Sequence, residues 1–140
     1  MSTLTEIRDA IKTTIETAIP ALKVYPTIPD SVTLPAVVVM PDEVDFSVAM
    51  GRGADTYEFD LIVLVSTGDM DVAQRQLDGF VTGAGTSSVR QAIFKARTLG
   101  LADVDAHVSA MTGYDLSSSV SSMDHVAAML RLVVHTRGVD

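Results

Sequence analysis

The side chains in this sequence that could do chemistry are few, and their spacing does not favour it. Three histidines, His107, His125 and His135, supply all its imidazoles, and with no cysteine there is no thiolate to complete a zinc site or act as a nucleophile. No two histidines stand three or four residues apart, the spacing that would stack both on one helix face. His125 and His135 are an even number of residues apart on an expected strand and share a face, but about 33 Å of extended chain lies between them. One ion cannot bridge that gap. The expectation is surface or edge-strand imidazoles without a metal.

The carboxylates are next. Asp42, Glu43 and Asp45 cluster before an expected hairpin, and Asp69, Asp71 and Asp78 lie around a central helix. A paired-carboxylate hydrolase needs two of them across a cleft, one desolvated, and nothing in the spacing demands it. Asp69 fits a helix N-cap, and Asp71 a first-turn charge favoured by the helix dipole. Gly83-Ala84-Gly85-Thr86-Ser87-Ser88 before a helix has the look of an anion-binding loop. It lacks the Lys-Ser/Thr ending of a P-loop and the third glycine of the dinucleotide fingerprint, and it follows a helix where those motifs follow a strand. An interhelical turn ending in capping hydroxyls is expected. These residues predict no catalytic group, cofactor or metal, and no enzyme.

The elements that would have to position any site read clearly. The chain has 140 residues, 47% hydrophobic and 20% charged, enough for one domain with an ordinary core. Aromatic residues are 5% and tryptophan is absent, so there is no stacking platform for single-stranded nucleic acid. Eighteen acidic and ten basic residues give a net charge of -8, which repels phosphate backbones and anionic lipid heads. The opening Met1-Ser2-Thr3-Leu4-Thr5-Glu6 has no secretory pattern, and the apolar runs fall short of a membrane span, so a cytoplasmic protein is expected.

Leu4, Ile7, Ile11, Ile15, Ala18 and Ile19 recur at helical steps, with Thr3 and Glu6 as a capping box and Pro20 as the stop. Leu22–Tyr25 reads as a short strand. Ala36–Met40, between Pro35 and Pro41, reads as a strand buried on both faces. Val44, Phe46, Val48 and Met50 alternate with polar residues toward Gly51-Arg52-Gly53, and Tyr57, Phe59, Leu61, Val63 and Val65 alternate beyond it. That pattern is a long hairpin from about Glu43 to Ser66. Val72, Ala73, Leu77, Phe80 and Val81 mark the inner side of a second helix. Val89, Ala92, Ile93 and Ala96 mark a third, stopped by a left-handed Gly100. Val104, Ala106, Val108 and Ala110 then form a strand. A last strand near His125–Thr136 has Val126, Ala128, Leu130, Leu132 and Val134 on one face, and Met129, Arg131, Val133 and His135 on the other. The fold class predicted is α+β: one antiparallel or mixed sheet with a long protruding hairpin, packed by an N-terminal helix and two central helices.

The hairpin is the informative feature. If its far half projects beyond the core, Val44, Phe46, Val48 and Met50 form an exposed apolar row that needs a partner, with Arg52 at the tip. If it does not project, the row covers the protein's own helices. The pattern alone leaves both open.

The order of elements resembles the tail terminator (tail completion, minor tail) proteins of long-tailed bacteriophages, especially those of actinobacteria. The resemblance is carried by the amphipathic first helix, the Pro35–Pro41 strand, and the hairpin ending at Leu61-Ile62-Val63-Leu64-Val65-Ser66. It continues through Asp78-Gly79-Phe80, the run Gly83–Ile93, Thr98-Leu99-Gly100 and the closing hairpin with Tyr114. Nearly the whole chain is covered. Phe94-Lys95-Ala96-Arg97 departs from the pattern, which has an acidic residue and a proline there, and the Ser117–Ser122 turn lacks a glycine pair. The resemblance implies a virion protein, assembled in the host cytoplasm, that forms a hexameric ring at the head-proximal end of the tail. Its partners would be further copies of itself, the tail tube protein and the head connector, with DNA passing the lumen unbound. Another neck component, such as a stopper or head-completion protein, is the first alternative, and a small ligand-binding or enzymatic α+β domain the second. On the ring reading, Phe46→Asp or Met50→Asp should leave a folded monomer. Light scattering that finds unchanged hexamers for both would remove the hairpin from the interface.

Overall fold

The computed structural model of the chain describes residues 4–20, 22–27, 33, 35–45, 56–66, 70–83, 85, 87–101, 104–115 and 125–136. The isoleucine stripe of α1 (Leu4–Ala18) is its buried face: Ile7, Ile11 and Ile15 are fully enclosed, each burial contributing about 1.5–3 kcal/mol. The helix ends before Pro20, as expected, with the Ile19 amide still donating to the Ile15 carbonyl at 2.8 Å. Thr3 of the expected capping box lies outside the described residues. Glu16 fastens the end of α1 to β1 (Lys23–Tyr25): one oxygen accepts from Lys12 Nζ at 2.8 Å, the other from the Val24 amide at 2.9 Å. Burial pushes this carboxyl up, but the Lys12 and Val24 bonds, with Lys23 nearby, hold it below its usual range.

β2 (Ala36–Asp45), β3 (Thr56–Ser66), β4 (Val104–Asp115) and β5 (His125–Thr136) complete a five-stranded sheet in the order β1-β2-β3-β5-β4. It is mixed: β1 runs parallel to β2, and every other pair is antiparallel. The expected break at Pro41 does not occur. Ala36–Met40 and the start of the next expected strand form one ten-residue strand, with a β-bulge between Pro41 and Glu43. β1 flanks only Ala36–Val38. Past that point β2 has no described neighbour on this side, so the amide that proline lacks is not needed there. Val37 and Val39 face one side of the sheet and Ala36 and Val38 the other, all buried, as the continuous apolar run predicts.

α2 (Met70–Val81) and α3 (Val89–Lys95) lie on the same face as α1, and their buried residues share one core with Phe59, Leu61, Val63, Leu130 and Leu132. On α2, Ala73, Leu77 and Phe80 are buried as expected, whereas Val72 is exposed. α3 is shorter than its sequence pattern suggests. The Ala96 amide bonds back to Ile93, closing the helix, and the chain turns through Leu99 at φ 53° and Gly100 at φ 76°. Gly100 is left-handed as expected, but it ends this turn and not the helix. The buried Leu99 side chain anchors the turn, and the Arg97 carbonyl accepts from the Ala106 amide at 2.7 Å, tying it to β4. On β4, Val104, Ala106 and Val108 are buried, but a bulge between Val108 and Ala110 breaks the alternation and leaves Ala110 exposed.

Ser88 sets the start of α3. Its Oγ accepts from the Gln91 amide at 3.1 Å and donates to the Thr82 carbonyl at 2.5 Å, and the residue is 1% exposed. Ser88→Ala should cost about 1–2 kcal/mol in urea unfolding, with Ser88→Thr recovering most of it. A loss in Ser88→Thr as large as in the alanine variant would show that packing, not the cap, holds this helix.

Candidate functional site

All three helices pack on one face of the sheet, so the strand residues pointing the other way form a second surface. This surface has two halves. Near the start of β2 it is apolar, with Ala36, Val38, Ile62, Leu64 and Ala127 buried and Tyr25, Met40 and Met129 against them. The Tyr25 hydroxyl accepts from the Thr33 amide at 2.9 Å. Toward the end of β2 the surface becomes charged.

The charged half centres on Arg131. Its Nη1 donates to Glu58 Oε1 at 3.1 Å, while Nη2 lies 3.5 Å from Asp60 Oδ1 and 3.3 Å from Asp42 Oδ2. Three strands build this group. Alternation puts Glu58 and Asp60 on one face of β3, and the β3–β5 register sets Asp60 opposite Arg131. The bulge in β2 makes Asp42 the extra residue, free to reach the same guanidinium. Among the described residues, three carboxylates against one guanidinium leave two negative charges unbalanced. Burial pushes the Asp60 carboxyl up, Asp42 and Glu58 push the same way, and Arg131 offsets them only in part.

The histidines are arranged differently from what chain spacing suggests. The His107 and His135 rings, on neighbouring strands, lie 5.8 Å apart centroid to centroid, and His135 Nδ1 is 3.1 Å from Thr56 Oγ1. His125 stands opposite Ser66, at the far end of β5. Among the described residues no group of three or more His, Asp or Glu could hold a metal ion.

Of the expected interface residues, Val44 lies in β2 opposite Tyr57. Phe46, Val48, Met50 and Arg52, and with them the hairpin's expected projection, lie outside the described residues. Within those residues the β2–β3 pair ends level with β5, since Thr56 still pairs with both Asp45 and His135. Asp71 and Asp78 sit in α2, while Asp69 lies outside the described residues. The Gly83–Ser88 run does connect two helices, and the Gly83 carbonyl accepts from Arg90 Nη1 at 3.0 Å. Sequence reasoning missed the Arg131 cluster, which depends on β5 lying beside β3, and the His107–His135 pair, which depends on β5 lying beside β4. The polar alternation of Glu58 and Asp60 opposite the mixed face of β5 was the available signal.

No family model matches the chain, and no curated protein matches it. No described helix is long and apolar enough to cross a membrane.

The Asp60 shift has a definite sign. Its folded pKa lies above the unfolded one, so its ionised form disfavours folding, and stability is gained as pH falls through the folded pKa. Asp60→Asn should therefore be at least as stable as wild type at neutral pH, and wild type should gain on it as the pH enters the carboxylate range. Urea unfolding across that range tests this. A difference that does not change with pH would contradict it.

Proposed function

We propose that this chain is a structural virion protein: a tail terminator of a long-tailed bacteriophage, forming a hexameric ring that caps the tail tube, stops its polymerisation and docks the head connector. The supporting observation is the one-sided sheet, with helices on one face and, among the described residues of the other, Asp42, Glu58 and Asp60 around Arg131. A ring around DNA needs an inner wall that a polyanion does not bind. An acid-rich sheet face in a chain of net charge -8 meets that need. The element order supports the same reading, with an amphipathic first helix, a central β2–β3 pair, two helices and a closing strand pair. A closed ring also needs a head-to-tail contact between two different surfaces of each subunit.

Electron microscopy of particles made without this gene tests the reading. Overlong tails are expected. Tails of normal length beside unattached heads would instead assign the chain to another part of the neck and contradict a terminating role.

A further inference from the structure

Chain spacing separates His125 from His135, but the sheet gives His135 a different imidazole neighbour. The β4–β5 register sets Asp105 opposite His135 and His107 opposite Val133, so His107 and His135 are diagonal neighbours on one face. Their ring centroids lie 5.8 Å apart. Two Zn–N bonds of about 2.0–2.1 Å at a tetrahedral angle set two imidazole centroids about 5 Å apart. A small swing of His135, which is exposed, covers the difference.

His135 also has the support that a metal-bound imidazole carries. Its Nδ1 is 3.1 Å from Thr56 Oγ1. In the tautomer that donates from Nδ1 to this oxygen, Nε2 keeps its lone pair for an ion. The surroundings favour a cation. Glu58 stands across β5 from His107, both of them opposite Val133, which places it about 10 Å away by strand spacing. Among the described residues Glu58, Asp42 and Asp60 outnumber the Arg131 they surround, so this face attracts positive charge. Asp105 does not join the imidazoles: Arg97 holds both its oxygens, at 3.1 and 3.2 Å.

We propose that His107 and His135 form a two-histidine site for a divalent transition-metal cation of the zinc class, with water in its remaining positions. Two imidazoles fall short of the closed cage of a structural zinc site, so the ion exchanges with solution. Imidazole nitrogen selects zinc, copper and nickel over magnesium and calcium, which take oxygen ligands. β4 is the edge strand and β5 its neighbour, so an ion held by both ties the edge of the sheet to its centre. The site needs one copy of the chain and is independent of the ring reading.

Calorimetric titration of the untagged full chain with zinc chloride tests the site, with thermal unfolding followed in the same solutions. Wild type should bind one ion per chain, and its unfolding midpoint should rise with zinc. His135→Ala and His107→Phe should each lose both the saturable binding and the rise. His135 is exposed, so its alanine variant leaves the core intact, and the phenylalanine keeps a ring beside His135 while removing both nitrogens. Thr56→Val should weaken binding about 10-fold. His125→Ala, at the far end of β5, should bind as wild type does, and excess magnesium should not displace the zinc. A wild type without saturable binding up to millimolar zinc would overturn the proposal. Binding that survives either histidine variant, or that yields to magnesium, would overturn it as well.

Discussion

The ladder between β3 and β5 is the interaction on which the other elements depend. It pairs every residue of β3, from Thr56 opposite His135 to Ser66 opposite His125. Phe59, Leu61, Leu130 and Leu132 from these strands lie at the centre of the helix-side core and are fully or almost fully enclosed. Tyr57 and Phe59, two residues apart on one face, stack at 6.4 Å beside them. Because alternate residues face opposite ways, the register that buries these side chains also sets Asp60 against Arg131 on the far side. A slip of one residue would exchange the two faces, exposing the core and burying the charges.

That coupling explains why the elements were legible in the sequence and the candidate surface was not. The isoleucine stripe ending at Pro20, the alternation through Leu61 to Val65 and the serine cap of α3 each express a local rule, and each is found where that rule puts it. Local rules also misled. Pro41 reads as the end of a strand, but an edge beyond β1 tolerates it, and the bulge beside it carries β2 onward. Helical spacing carries α3 toward Leu99, yet burying Leu99 and pairing Arg97 with Ala106 close the helix at Lys95. Alternation shows which face a side chain takes and says nothing of which strand lies beside it. Arg131 with its three carboxylates, and His107 with His135, depend on strand order, in which β5 enters between β3 and β4.

The two faces of the sheet suit different roles. The helix side carries the core, with the α1–α3 groove and the exposed Phe94 at its surface. The opposite side carries unbalanced negative charge around Arg131. Ion pairs that stay partly open to solvent, as these do, contribute little to stability, so the cluster is better understood through the potential it presents than through the energy it adds. In the ring proposed above, the helices would face outward and the carboxylates toward the channel.

The direction in which the sheet faces within an assembled particle is the most direct test of this account. Cryo-electron microscopy of isolated tails, at a resolution that separates helices from strands, would show it. The account predicts a ring of this chain at the head-proximal end, with the Arg131 face toward the channel. A ring with α1 and α3 lining the channel, or a head-proximal end made without this chain, would contradict it.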